Sequence, residues 1–434
     1  MEGRRALHLL VLVSLLGLAS PAGAKLLTID AVPAATLLLP YFEVALGDAN
    51  GPTTLFSINN ASATAVLAHV VIWSDLSVPV FDFNVYLTGY DVQTINLRDI
   101  LINGVLPQTA SSGQDPGDTL SPKGALSQDI NFASCTGQLP PPKLPGTFIS
   151  HLQASLTGKA SPILGNLCAG RDLGDNLARG YVTVDTVNNC TLRIPSDSTY
   201  FTTDVTDQNV LWGDYFYVDP SQNSAEGGTL VHIEASASDP ETSVPGQYTF
   251  YGRYVSWMAT DHREPLATNF DARFAQGGND ATSFLVWRDS KVSQAPFTCG
   301  ALPTWYPLGE EEIVIFDEEE TPFEPETFPV SPQPPQASLV PFPAETQKVG
   351  VGSAELPSPF EFGWVAFNLN TEVTAAGNNP PEDKAAAQAW VFVVMEASVA
   401  GPGQLKQTSG SYSSGYDATR PDCACQAAHK RPSQ

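Results

Sequence analysis

A chain of 434 residues that is 42% hydrophobic has material for a sizeable core, which excludes a wholly disordered chain and a coiled-coil or collagen-like rod. Lys and Arg number 21 against 46 Asp and Glu, a net charge of −25 that argues against a nucleic-acid partner, because phosphate binding needs a basic footprint. The 34 Gly and 36 Pro favour short elements joined by many turns over long helices.

Residues 1–24 read as a secretory signal peptide: Arg4 and Arg5, an apolar run from Ala6 to Leu18, then the small residues of Ala22-Gly23-Ala24. That run is too short for a bilayer, which needs ~20 residues. The residues after Arg5 lack a twin-arginine pattern, so the general secretory route is expected, with a mature chain starting at Lys25 that is secreted or periplasmic. Downstream, no apolar window approaches the roughly 18 residues of a membrane span.

From residue 25 to 105 the pattern is one of β-strands and turns. Thr53–Asn59, Ala65–Trp73, Val80–Leu87 and Tyr90–Leu97 are rich in β-branched and aromatic residues. In the third run Phe81, Phe83, Val85 and Leu87 share one face and Asp82, Asn84 and Tyr86 the other, as in a half-buried strand. Residues 106–176 lose this alternation and read as a loop-rich insertion, with one short helix over Ile149–Leu156. A second β-rich region over 177–320 contains runs at Gly180–Val187, Val210–Val218, Thr229–Ala235, Gln247–Val255, Ser283–Trp287 and Glu312–Phe316. Thr321–Glu345 holds eight prolines, each of which deletes a ladder donor, so 321–360 reads as a linker or surface loop. Closing strands at Phe362–Leu369 and Ala389–Met395, within 361–406, are apolar enough for burial on both faces; 407–434 is a flexible tail. The economical solution is a mainly β fold, an immunoglobulin-like antiparallel β-sandwich in two packed β-rich lobes with long loops.

Six cysteines, Cys135, Cys168, Cys190, Cys299, Cys423 and Cys425, read as disulfides in an exported chain. Cys135 and Cys168 bracket a turn-rich stretch and are expected to clip it. Cys423 and Cys425, one residue apart, are each expected to reach a different upstream partner.

Motifs for nucleophilic, zinc, nucleotide and dinucleotide chemistry are missing from the sequence. His69 and His232 sit inside apolar strands, where a hydrogen-bonded structural imidazole is expected. His262, in Thr260-Asp-His-Arg-Glu264, is the weak candidate for an acid or base. Seven carboxylates flank Ile313–Phe316; their bland role is to discourage edge association, and their sharper one is calcium held by Asp317, Glu318, Glu319 and Glu320. No other cofactor is expected. Trp73, Trp257, Trp287, Trp364 and Trp390 lie in or beside strand patterns and read as core. Trp305 and Tyr306, between prolines, are the preferred exposed aromatic site, suited to stacking on a sugar ring.

The segments LLLPYFEV (37–44), TTLFSINNAS (53–62), VYLTGYDVQTINLRDI (85–100), FLVWRDS (284–290) and IVIFDEEE (313–320) resemble a group of uncharacterised secreted bacterial proteins. The resemblance runs through most of the mature chain and implies export and a single architecture; it transfers no activity or catalytic residue. The functional expectation is a secreted or periplasmic β-sandwich with a binding or structural role at the cell envelope, toward an extracellular glycan or envelope component. The alternative is a secreted hydrolase that uses carboxylates or His262.

Overall fold

The computed structural model describes residues 32–109, 132–135, 137–243, 248–255, 260–278, 280–290, 294–301, 303, 312–323, 344–369 and 388–397. The fold is mainly β, with antiparallel sheets packed on one another. Its strands are β1 (Thr36–Ala45), β2 (Thr53–Asn60), β3 (Val66–Ser74), β4 (Pro79–Leu87), β5 (Val92–Asn96), β6 (Leu177–Val187), β7 (Leu211–Trp212), β8 (Asp214–Asp219) and β9 (Ser224–Thr229). They continue with β10 (Val231–Ile233), β11 (Asn269–Ala275), β12 (Asp280–Arg288), β13 (Glu312–Phe316), β14 (Pro322–Phe323), β15 (Thr346–Gly350), β16 (Phe362–Asn368) and β17 (Ala389–Ala397). A helix, α1 (Gly146–Leu156), begins three residues before the expected Ile149, with Pro145 in extended conformation as its N-cap.

Among the described residues the strands form four sheets, ordered β10-β1-β6-β3-β4, β5-β2-β8-β9, β15-β12-β17 and β11-β16-β13-β14. A single immunoglobulin-like sandwich would need only two. One continuous apolar core nevertheless joins them, from Leu37 on β1 to Val394 on β17. The closing strand β17 pairs along the whole of β12, so the chain beyond the proline-rich stretch completes a core begun upstream. β15 lies inside the stretch read as linker; it adds to the other side of β12.

β1 is interior to its sheet, between β10 and β6, yet contains Pro40. The register slips between Leu39 and Phe42, so the proline sits in a bulge where its missing N–H removes no ladder bond. Gly180 on β6 is needed for a close approach: a Cβ there would lie 1.9 Å from the Trp73 carbonyl oxygen of β3.

Two sequence expectations fail for a common reason, the side chains that point inward. Gln247–Val255 is not a strand: Gly252–Val255 is a single helical turn, and Tyr248, Phe250 and Tyr251 are all buried. Their apolar character fills a core from a loop instead of alternating across a ladder. The polar face of β4 is covered as well, since Asn84 bonds the carbonyls of Gln138 (3.2 Å) and Thr191 (2.9 Å) and is fully buried.

Two disulfides pin the loops. Cys135 pairs with Cys190 (Cα–Cα 4.8 Å) and Cys168 with Cys299 (Cα–Cα 5.1 Å), which corrects the expected Cys135–Cys168 clip. The correction has a backbone cause. Cys168 and Phe297 exchange hydrogen bonds of 2.8 and 2.9 Å, which brings Cys299 alongside, while the Cys190 N–H donates to Ser134 Oγ (2.8 Å) beside Cys135. Cys423 and Cys425 lie outside the described residues, and the four upstream cysteines are taken by one another, which removes the expected upstream partners.

Candidate functional site

Strand register builds a polar row across an apolar sheet. Asn84 on β4 stands opposite His69 on β3, His69 opposite Asp185 on β6, and Asp185 opposite Thr36 on β1. All four are fully buried. Charge in such a place costs free energy unless it is paired and hydrogen-bonded. Asp185 is the hub: its Oδ1 accepts from Thr36 Oγ1 (2.5 Å), and its Oδ2 accepts from the hydroxyls of Tyr200 (2.8 Å) and Tyr251 (2.9 Å).

Two segments, 248–255 and 260–263, supply the cations. Arg263 Nε lies 3.4 Å from Asp185 Oδ1 and donates to Thr36 Oγ1, while its Nη1 donates to Asp261 Oδ1 (3.2 Å). Arg253 sits in a second triad, with Nε 2.8 Å from Asp289 Oδ1 and Nη1 2.9 Å from Glu345 Oε2. Tyr248 Oη and Gln388 Nε2 each donate to Asp289 Oδ2 at 2.9 Å. The two guanidinium groups lie over the rings of Tyr251 (5.8 Å) and Tyr254 (5.7 Å), whose centroids are 6.2 Å apart. Each of the two segments thus carries one arginine set between two carboxylates.

Burial alone would lower both arginine pKa values, but the facing carboxylates more than offset it and hold them above the usual range. Burial raises the Asp261 and Glu345 carboxyls, with Arg263 and Arg253 opposing part of the rise. Burial, followed by the neighbouring Asp185, also raises Tyr200 and Tyr251. No member of either triad is more than 7% exposed, so the groups bond to one another and lock both segments onto the sheets.

His262 has a different setting. Its Nδ1 donates to Asp207 Oδ2 at 2.6 Å, with side-chain exposures of 22% and 34%. The pair is a histidine–carboxylate contact, partly open at the surface. His69 and His232 lie buried in β3 and β10. Trp73, Trp287 and Trp390 are core side chains, and Trp364 is half-buried on β16.

Trp305, Tyr306 and Trp257 lie outside the described residues. Asp317 is half-buried and closes a turn, its Oδ1 accepting from the N–H groups of Glu319 (2.9 Å) and Thr321 (2.7 Å). The Thr321 N–H holds its carboxyl below the usual range. Glu318, Glu319 and Glu320 follow as exposed turn residues, with Glu320 at a φ of 63°. Sequence reasoning passed over Asp185, Arg253, Asp289 and Glu345, and it read Asp261 and Arg263 as part of a solvated loop around His262, whereas both are fully buried. Asp185 in the apolar run Gly180–Val187 and Arg288-Asp289 at the end of β12 were the available signals, since charge inside a strand core demands a partner.

No family model and no curated protein matches the chain. Among solved structures there is a likeness to a chain described as "Biofilm associated protein - BSP domain" at 8% identity and a TM-score of 0.17. It covers 86% of this chain and 54% of that one, so the match spans about half the other chain's length. A likeness of that size carries no structural argument.

Proposed function

We propose that the chain is an exported structural module of the cell envelope, a β scaffold built to persist in an oxidising compartment. The observation that carries this reading is the pair of disulfides, Cys135–Cys190 and Cys168–Cys299, which tie loop segments to one another. Such bridges form and last outside the reducing cytoplasm. The apolar leader of residues 6–18 supports the same route, and two buried triads of one arginine with two carboxylates suit a rigid scaffold. The ligand class expected of it is a glycan or another envelope component. Cell fractionation with thiol labelling tests the reading. The protein should appear with washed envelopes or in the medium, with its four described cysteines unreactive; a cytosolic protein with labelled thiols would end it.

A second reading, a secreted hydrolase, is favoured by the 2.6 Å contact between His262 and Asp207. Here Asp207 orients the imidazole and the exposed ring takes a proton from water or a substrate hydroxyl. Turnover of an ester and polysaccharide panel, lost in both His262→Ala and Asp207→Asn, would promote it over the scaffold reading. Activity unchanged in both variants would remove His262 from consideration.

A further inference from the structure

The outer end of the polar row holds two buried atoms that no described residue satisfies. His69 Nε2 and Asp82 Oδ2 face each other at 3.9 Å, and neither has a hydrogen-bond partner among the described residues. His69 is fully buried, and the Asp82 side chain is 24% exposed. The imidazole tautomer follows from the neighbours. Asn84 Nδ2 donates to the carbonyls of Gln138 and Thr191, and Asn84 Oδ1 accepts from the Thr191 N–H at 3.1 Å. The amide is therefore fixed with Oδ1 toward the ring, so His69 Nδ1, 3.1 Å away, must be the donor. A neutral ring then points the bare lone pair of Nε2 at a carboxylate. Two acceptors in a buried site repel, and one proton between them removes the conflict.

We propose that His69 and Asp82 share one proton and act as a pH-sensitive latch on the covering segment Thr191–Asp204. That segment meets the site from above. Thr191 bonds Asn84, the Tyr200 ring lies 5.9 Å from the imidazole, and the Arg193 carbonyl faces the ring. The other charges around the pair are already matched. Asp185 faces Arg263, and Asp204 accepts from Arg193 at 2.7 and 2.8 Å. Asp197, on the covering segment, is the remaining charge facing Asp82, and it repels an ionised Asp82.

Burial, followed by Asp197, pushes the Asp82 carboxyl up to about 7, and burial lowers the His69 ring from its ordinary value. The signs of the two contributions differ. The Asp82 contribution to stability is complete below its unfolded value of 3.8 and is lost as pH rises through about 7. The His69 contribution is present above 6.5 and is lost as pH falls through its lowered folded value. The Asp82 contribution therefore holds the latch in mild acid and is lost above neutrality, while the opposing His69 contribution is common to wild type and an Asp82 variant and drops out of their difference.

Asp82→Asn tests the inference, because its amide donates to Nε2 without titrating. Unfolding midpoints should fall between pH 5 and pH 8 in the wild type and fall less in the variant. The two proteins should match at pH 5, with the variant the more stable at pH 8. Exchange of the Thr191 amide, corrected for base catalysis, should accelerate about tenfold over that range only in the wild type, the equivalent of ~1.4 kcal/mol. Parallel pH profiles for the two proteins would overturn the proposal. Should the variant not fold, carboxyl-carbon NMR titrations of Asp82 in wild type and in His69→Gln decide: a midpoint near 7 that shifts when the imidazole is removed supports the shared proton, and one that stays unchanged contradicts it.

Discussion

Arg263→Met removes one cation from a site that has no solvent to replace it. The side chain is fully buried and serves Asp185, Asp261, Thr36 and the Thr206 carbonyl (3.2 Å). Methionine restores the volume but leaves two buried carboxylates with no counter-charge, and breaking a buried pair in this way costs about 3–5 kcal/mol. Against a domain stability of ~5–15 kcal/mol, that is a large fraction. Urea unfolding at pH 7, followed by near-ultraviolet dichroism of the tyrosines and tryptophans around the loop, should show the midpoint fall with little change of slope. The loss should shrink as pH falls, because Asp261, whose carboxyl burial already raises, then escapes its unpaired charge by protonation. A double variant, Arg263→Met with Asp261→Asn, should recover about 0.5–3 kcal/mol relative to additivity. A midpoint for Arg263→Met within ~1 kcal/mol of wild type would refute the triad as a source of loop fixation.

Other parts of the structure give shorter tests. Cys168→Ser with Cys299→Ser opens a loop of sequence separation 131 and should lower stability by about 4–5 kcal/mol; the shorter separation of 55 at Cys135–Cys190 implies ~4 kcal/mol, with both read by thermal melts under non-reducing conditions. Gly180→Val should cost about 1–3 kcal/mol or more, since its side chain meets the Trp73 carbonyl rather than a yielding side chain; an unchanged melt would disprove the close approach. Burial, with Glu396 and Glu43 adding to it and Lys348 opposing, raises Glu226 to about 7. Its contribution to stability is therefore complete below the unfolded value of 4.5 and is lost as pH rises through about 7. Glu226→Gln should flatten that part of the pH profile, as measured by unfolding midpoints from pH 4 to 8.

The sequence announces its strands where alternation and β-branching agree. Glu312–Phe316 is β13 residue for residue, and Val80–Leu87 lies one residue inside β4. It conceals β1 because Pro40 argues against an interior strand, and only the bulge at Leu39–Phe42 resolves the conflict. It misleads at Gln247–Val255, where aromatic density comes from a loop whose rings fill the core. The candidate site was legible only in part. His262 stood out as a histidine in a charged loop, but its partner Asp207 is 55 residues away in sequence. The triads were illegible for the same reason, with Arg253 and Glu345 separated by 92 residues and Arg263 and Thr36 by 227. Long-range register, not local pattern, assembles such sites.

The most direct test of the exported, cross-linked scaffold is a disulfide map by mass spectrometry of protein recovered from outside the cytoplasm without reduction. Peptides joining Cys135 to Cys190 and Cys168 to Cys299 are the expected result. Folded protein from that compartment with these four cysteines free, or paired in another order, would contradict it.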